Sequence, residues 1–188
     1  VHWPCTSVSF PPLENRWRFA RHRSSQSSSC CAFPNVAFIN AGAGIDSRYY
    51  DRFASYLAEG GIPTLGYDYR GIGRSRPQFM RGFEASVEEW GSKACAAVLE
   101  WLAERFPGAR RIVIGHSVGG FLTGFARNGH LIDHMVLVGA HTGYWGDYAP
   151  FARPWMYLLW HAFMPAVTRL VGYFPGRSLH RLEDLPRG

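Results

Sequence analysis

The chain has 188 residues, 47% of them hydrophobic, so it has room for one domain with a real core. Its formal net charge is +6, and much of that excess sits in Arg16, Arg18, Arg21 and Arg23 and in the final segment, not in the middle. The four cysteines include no C-x-x-C pair, which excludes a paired-cysteine zinc module and points to reduced thiols and a cytoplasmic protein.

Residues 1–33 carry Pro11-Pro12, an Arg-rich patch and the run SSQSSSCC, without a sustained helical or strand period. They read as an irregular segment with at most a short strand at Ser7 to Phe10. No continuous apolar core follows a basic head, so the start is not a signal peptide. The arginine cluster, with Trp17 and Phe19 between its members, raises a second reading as a basic interaction module for nucleic acid or anionic surfaces. A solvated tail explains it more simply, and no nucleic-acid partner is expected.

Residues 34–140 behave differently. VAFIN (Val36 to Asn40) is a short apolar strand that ends in a glycine-rich turn. Asp46 or Ser47 caps a helix carrying Tyr50, Ala54, Leu57 and Ala58 at helical spacing, closed by Gly60-Gly61. PTLGYD (Pro63 to Asp68) is the next strand, and RGIGRSRP is a glycine-punctuated loop. Ser86 and Glu89 form a capping box before a helix that buries Trp90, Ala94, Val98 and Leu102 and stops at Pro107-Gly108. RIVIG, a short helix from Val118 and the strand MVLVGA (Met135 to Ala140) complete the series. Near-continuous apolar strands alternating with amphipathic helices imply an α/β fold: a mostly parallel sheet with helices on both faces.

Residues 141–188 change character again. The stretch 154–174 is almost long enough to span a bilayer, but Pro154 and Pro165 break it and His161, Thr168 and Arg169 interrupt it. A helical cap over the sheet's C-terminal edge is the favoured reading, with membrane-surface contact the lesser alternative. Its aromatics, Trp145, Trp155, Tyr157, Trp160 and Phe163, point to a hydrophobic acyl group in the substrate.

The chemistry concentrates in RIVIGHSVGG, Arg111 to Gly120. A buried strand runs into Gly115-His116-Ser117-Val118-Gly119, the G-x-S-x-G pattern of a nucleophile elbow. Glycines two residues before and after Ser117 remove the Cβ atoms that a strand-to-helix turn this sharp would drive into neighbouring backbone. The helix start behind Ser117 offers backbone N–H groups to a developing oxyanion. Val118 is expected to donate one; the loop NAGAG is expected to supply the second at Gly42, with Ala41 as neighbour.

With INAGAG (Ile39 to Gly44), D-x-R-G-x-G-x-S (Asp68 to Ser75), G-H-S-x-G-G and MVLVGAHTGYW (Met135 to Trp145), the chain resembles the α/β-hydrolase superfamily. The likeness is to bacterial predicted hydrolases near the serine-aminopeptidase and monoglyceride-lipase branch, from about Val36 to the end. The resemblance implies a serine hydrolase of esterase, lipase or peptidase type with Ser117 as nucleophile, a small-molecule ester or amide substrate, and neither cofactor nor metal. In that superfamily the catalytic acid and histidine follow the serine on loops after later strands, and nothing after MVLVGA reads as those strands.

The local substitutes for the missing pair are Asp147, His141, His161 and His180. Asp133 precedes its strand at the wrong edge, Asp184 lies in a terminal tail, and His116 packs beside the serine. The expectation is that the remaining triad is not in residues 1–188, that the chain is cut inside its cap and nearly inactive alone, and that an unpaired sheet edge is exposed. A non-catalytic remnant that keeps sheet and pocket is the remaining alternative. His130 and His134 lack the glutamate of a metalloprotease helix, and neither Gly42-Ala43-Gly44 nor Gly71-Ile72-Gly73 has the third glycine of a dinucleotide loop.

Overall fold

Short apolar strands separated by helices with one apolar face bury both only when the strands lie side by side and the helices cover each face. The computed structural model of the chain, which describes residues 17–20, 33–179 and 183–187, has this arrangement. Five strands, β1 (Trp17–Ala20), β2 (Asn35–Asn40), β3 (Thr64–Tyr67), β4 (Arg110–His116) and β5 (His134–Val138), form one sheet in the order β1-β3-β2-β4-β5. The last four are parallel, and β1 runs antiparallel to β3. Residues 1–33 are therefore not irregular throughout: β1 was missed because four residues are too few to show a period. The strand expected at Ser7 to Phe10 lies outside the described residues, as do Arg16, Arg21, Arg23, Cys5, Cys30 and Cys31.

The two-residue period of the strands sorts the core. Val36, Phe38, Leu65 and Val113 face one side, where they pack with Val98, Leu99 and Leu102. Ala37, Ile39 and Ile114 face the other, against Ala54. The first of these layers is built by α2, continuous over residues 87–105, in which Val87–Glu89 and Ala96–Arg105 are α-helical and Trp90–Cys95 forms a π-helical stretch. The expected capping box is present: the Glu89 N–H donates to Ser86 Oγ at 3.1 Å and the Ser86 N–H to Glu89 Oε2 at 3.4 Å. The second layer is α1 (Asp51–Glu59), entered through a 3₁₀ turn at Ser47–Tyr50 that Asp46 caps.

Strand order decides where a site forms. The chain leaves β2 to one side for β3, then crosses back to place β4 on the other side of β2. The C-terminal ends of β2 and β4 therefore emerge together at a topological switch point, where open α/β sheets hold their ligands. Asp68, at the end of β3, fixes the neighbouring loops by accepting the Ser47 N–H at 2.7 Å and the Arg74 N–H at 3.0 Å. Burial pushes its carboxyl up from the usual range, and those two backbone donors oppose the shift. Gly73, at φ 51°, passes so close that a Cβ there would stand 2.7 Å from the carboxylate.

A helical segment follows β5, where a cap is expected. A second long helix over residues 153–171 comprises Arg153–Leu158, a π-helical turn at Leu159–Phe163 and Met164–Val171, and Gly172 ends it at φ 91°. Among the described residues no helix is long and apolar enough to cross a membrane. Asp184 is no loose tail: it is buried, paired with Arg76, and accepts the Arg177 N–H at 3.0 Å. Residues 183–187 form a strap over the site, tied down where the Glu183 N–H donates to Gly44 O at 2.7 Å and the Ala85 N–H to Arg187 O at 2.9 Å.

Among the described residues β5 pairs with β4 alone, and Met135 and Leu137 are 47% and 54% exposed. An apolar strand with an open edge is a template for pairing with a second chain. Light scattering of the 188-residue chain should show mass rising with concentration, and Val136→Lys should hold it at the monomer mass. A wild-type chain that stays monomeric at every concentration would contradict this.

Candidate active site

The site begins where β4 turns into α3 (Val118–Leu122). Between them Ser117 sits at φ 53°, ψ −126°, the one non-glycine residue with positive φ among the described residues. Such a conformation costs about 1–3 kcal/mol and persists only where its surroundings over-determine it. Here the glycines supply that constraint. A Cβ on Gly115 would stand 2.4 Å from Gly120 Cα, and one on Gly119 would stand 2.1 Å from Asn40 O. The Ser117 N–H donates to Val138 O at 3.0 Å, pinning the turn to β5.

Beneath the turn lies a buried polar network that sequence reading missed. Asn40, fully buried at the end of β2, donates from Nδ2 to Thr123 Oγ1 at 2.9 Å and accepts the Tyr67 hydroxyl at Oδ1. Thr123 in turn donates to Gly119 O at 3.0 Å, and the Tyr69 hydroxyl donates to Ala41 O at 3.0 Å. Burial pushes both phenols well above their ordinary range and the Cys95 thiol up to about 11, so all three stay protonated near neutral pH. The signal in the sequence was a single asparagine closing an apolar strand.

The network decides which amides face the ligand. The Gly42 N–H, expected to bind the oxyanion, already donates to the Tyr50 hydroxyl at 3.1 Å, and that hydroxyl lies 2.7 Å from His116 Nδ1. Ala41 is buried and holds Tyr69 through its carbonyl. Ala43 instead lines the cavity beside Ser117 and Val118. Among the described residues, no acceptor takes the N–H of Val118 or Ala43. Of the NAGAG loop amides, Gly42 is thus occupied by Tyr50, and Ala43 is the one beside the cavity.

The cavity encloses about 490 Å³, within the usual range of a small-molecule site, and its wall is largely apolar. Of the cap tryptophans expected to line it, Trp160 does. Trp145 packs edge-on against Tyr157, and Trp155 is 74% exposed, so neither reaches it. Leu185 and Pro186 of the strap also line it, which the reading of this segment as a terminal tail did not anticipate.

The histidines also rearrange the expectation. His141, on the loop after β5, places Nε2 3.3 Å from Ser117 Oγ. Its Nδ1 accepts the Gly143 N–H at 3.0 Å, where a triad would present a carboxylate. The nearby Asp147 carboxylate instead accepts from the Thr142 hydroxyl at 3.5 Å. His161 packs on Tyr157, and His180 lies outside the described residues.

Residues 35–180 match the family model described as serine aminopeptidase, S33. The fold is similar to that of a soluble variant of monoglyceride lipase from Saccharomyces cerevisiae, with TM-score 0.63 and 15% identity over 89% of this chain and 53% of that one. A thermostable carboxyl esterase from Bacillus coagulans gives TM-score 0.59 and 16% identity, over 88% of this chain and 50% of that one. For the monoacylglycerol lipase from Paleococcus ferrophilus the values are 0.56 and 20%, over 84% of this chain and 52% of that one. The chain spans about half the length of these three structures.

The contact of Gly119 with Asn40 O leaves no room for a methyl group. Gly119→Ala should cost about 3 kcal/mol or more in urea unfolding, as overpacking against backbone does. A loss below about 1 kcal/mol would show that the elbow is not held by this contact.

Proposed function

Because the chain belongs to the serine aminopeptidase S33 family of the α/β-hydrolase superfamily, we propose that it cleaves an ester or amide through an acyl-enzyme on Ser117. One observation carries this reading: the strained serine lines an apolar cavity together with Val118 and Ala43, whose N–H groups have no acceptor among the described residues. Ser117 Oγ attacks the carbonyl carbon, the two N–H groups bind the oxygen as it becomes negative, and the alcohol or amine departs. Water then attacks the acyl group and restores the serine. Trp160, Leu185 and Pro186 give an acyl chain an apolar wall, which favours hydrophobic acyl groups.

The reading as a non-catalytic remnant has one observation in its favour. Among the described residues no carboxylate stands behind a histidine at Ser117. The 188-residue chain should therefore turn over p-nitrophenyl butyrate about 10³–10⁴-fold more slowly than an enzyme with an assembled triad. What turnover remains should vanish in Ser117→Ala, and Trp160→Ala should raise KM more for longer acyl chains than for the acetate. Turnover that survives Ser117→Ala would overturn the assignment of the nucleophile.

A further inference from the structure

We infer that His141 is a hydrogen-bond donor to Ser117 Oγ and not its base, with its tautomer set by the backbone. The inference rests on the reading of Ser117 as nucleophile. A backbone N–H only donates, so the Gly143 N–H at 3.0 Å requires Nδ1 of His141 to be an unprotonated acceptor. A neutral imidazole carries one ring proton, which must then sit on Nε2. That nitrogen lies 3.3 Å from Ser117 Oγ. A base would have to take the serine proton on a nitrogen that already holds one.

The loop is shaped to keep this state. Gly143 adopts φ 75°, a left-handed turn that brings its N–H back onto the side chain two residues earlier. The Tyr144 N–H donates to Thr142 Oγ1 at 3.1 Å and fixes the next step of the turn.

The chemical consequence is a division of labour. With Oγ accepting from His141, the serine proton passes to solvent hydroxide, which becomes water, as Oγ attacks the carbonyl carbon. His141 keeps its own proton throughout. Its Nε2–H holds Oγ in place for attack and stabilises the negative charge that returns to Oγ when the Oγ–acyl bond breaks in deacylation.

Long-range ¹H–¹⁵N NMR of the histidine rings of the 188-residue chain, above the imidazole titration, tests the tautomer; His141→Gln assigns the resonance. The expected pattern is a protonated Nε2 and a bare Nδ1, and the reverse pattern would overturn the inference. Ser117→Ala should shift the His141 Nε2 resonance and leave the tautomer unchanged; an unmoved resonance would overturn the contact. In the ester assay, His141→Leu should fall about tenfold, and His141→Gln, which restores a donor, should recover part of that loss. Loss of both variants to the Ser117→Ala level would make His141 the base. Turnover that persists in Ser117→Ala contradicts the nucleophile, and leaves the NMR result standing on its own.

Discussion

The upper end of this molecule depends on backbone touching backbone where β4 turns into α3. Gly119 rests on the carbonyl of Asn40 and Gly115 on Gly120, so three elements meet with no side chain between them. That approach forces Ser117 into a conformation that side-chain-bearing residues rarely adopt, and turns its hydroxyl out of the sheet edge. Pinning by Val138 on β5 keeps the turn from relaxing. The serine's position is thus a property of packing, present before any ligand or catalytic partner arrives.

Polar groups then decide how the surrounding loops use that position. Asn40, Thr123 and Tyr67 tie the end of β2 to α3, and Tyr69 holds the next carbonyl in place. Each of these groups is buried and satisfied, which makes the network rigid and costly to cut. Tyr50 takes the Gly42 amide, and the neighbouring Ala43 lines the cavity. The same logic governs His141, whose ring nitrogen is taken by a backbone amide and not by a carboxylate.

Much of this was legible from residue pattern. The alternation of apolar strands with capped helices fixes the parallel sheet, and Gly115-His116-Ser117-Val118-Gly119 marks the elbow because only glycines fit there. Legibility stopped at contacts between residues far apart in the chain. Tyr50 and Gly42 are eight residues apart and bond across a turn whose path no pattern reveals. Residues 183–187 are held at the cavity by contacts with distant positions, among them the pairing of Asp184 with Arg76, 108 positions earlier. Trp145, Trp155 and Trp160 look alike in sequence, yet of the three only Trp160 lines the cavity, while Trp155 is largely exposed.

We propose that this packing makes Ser117 the nucleophilic serine of the chain. The direct measurement is exposure of the 188-residue chain to an alkyl fluorophosphonate, followed by peptide mass spectrometry. The account predicts modification at Ser117, lost in Ser117→Ala, with the other serines untouched. Modification spread over several serines, or retained at full extent in Ser117→Ala, would contradict it.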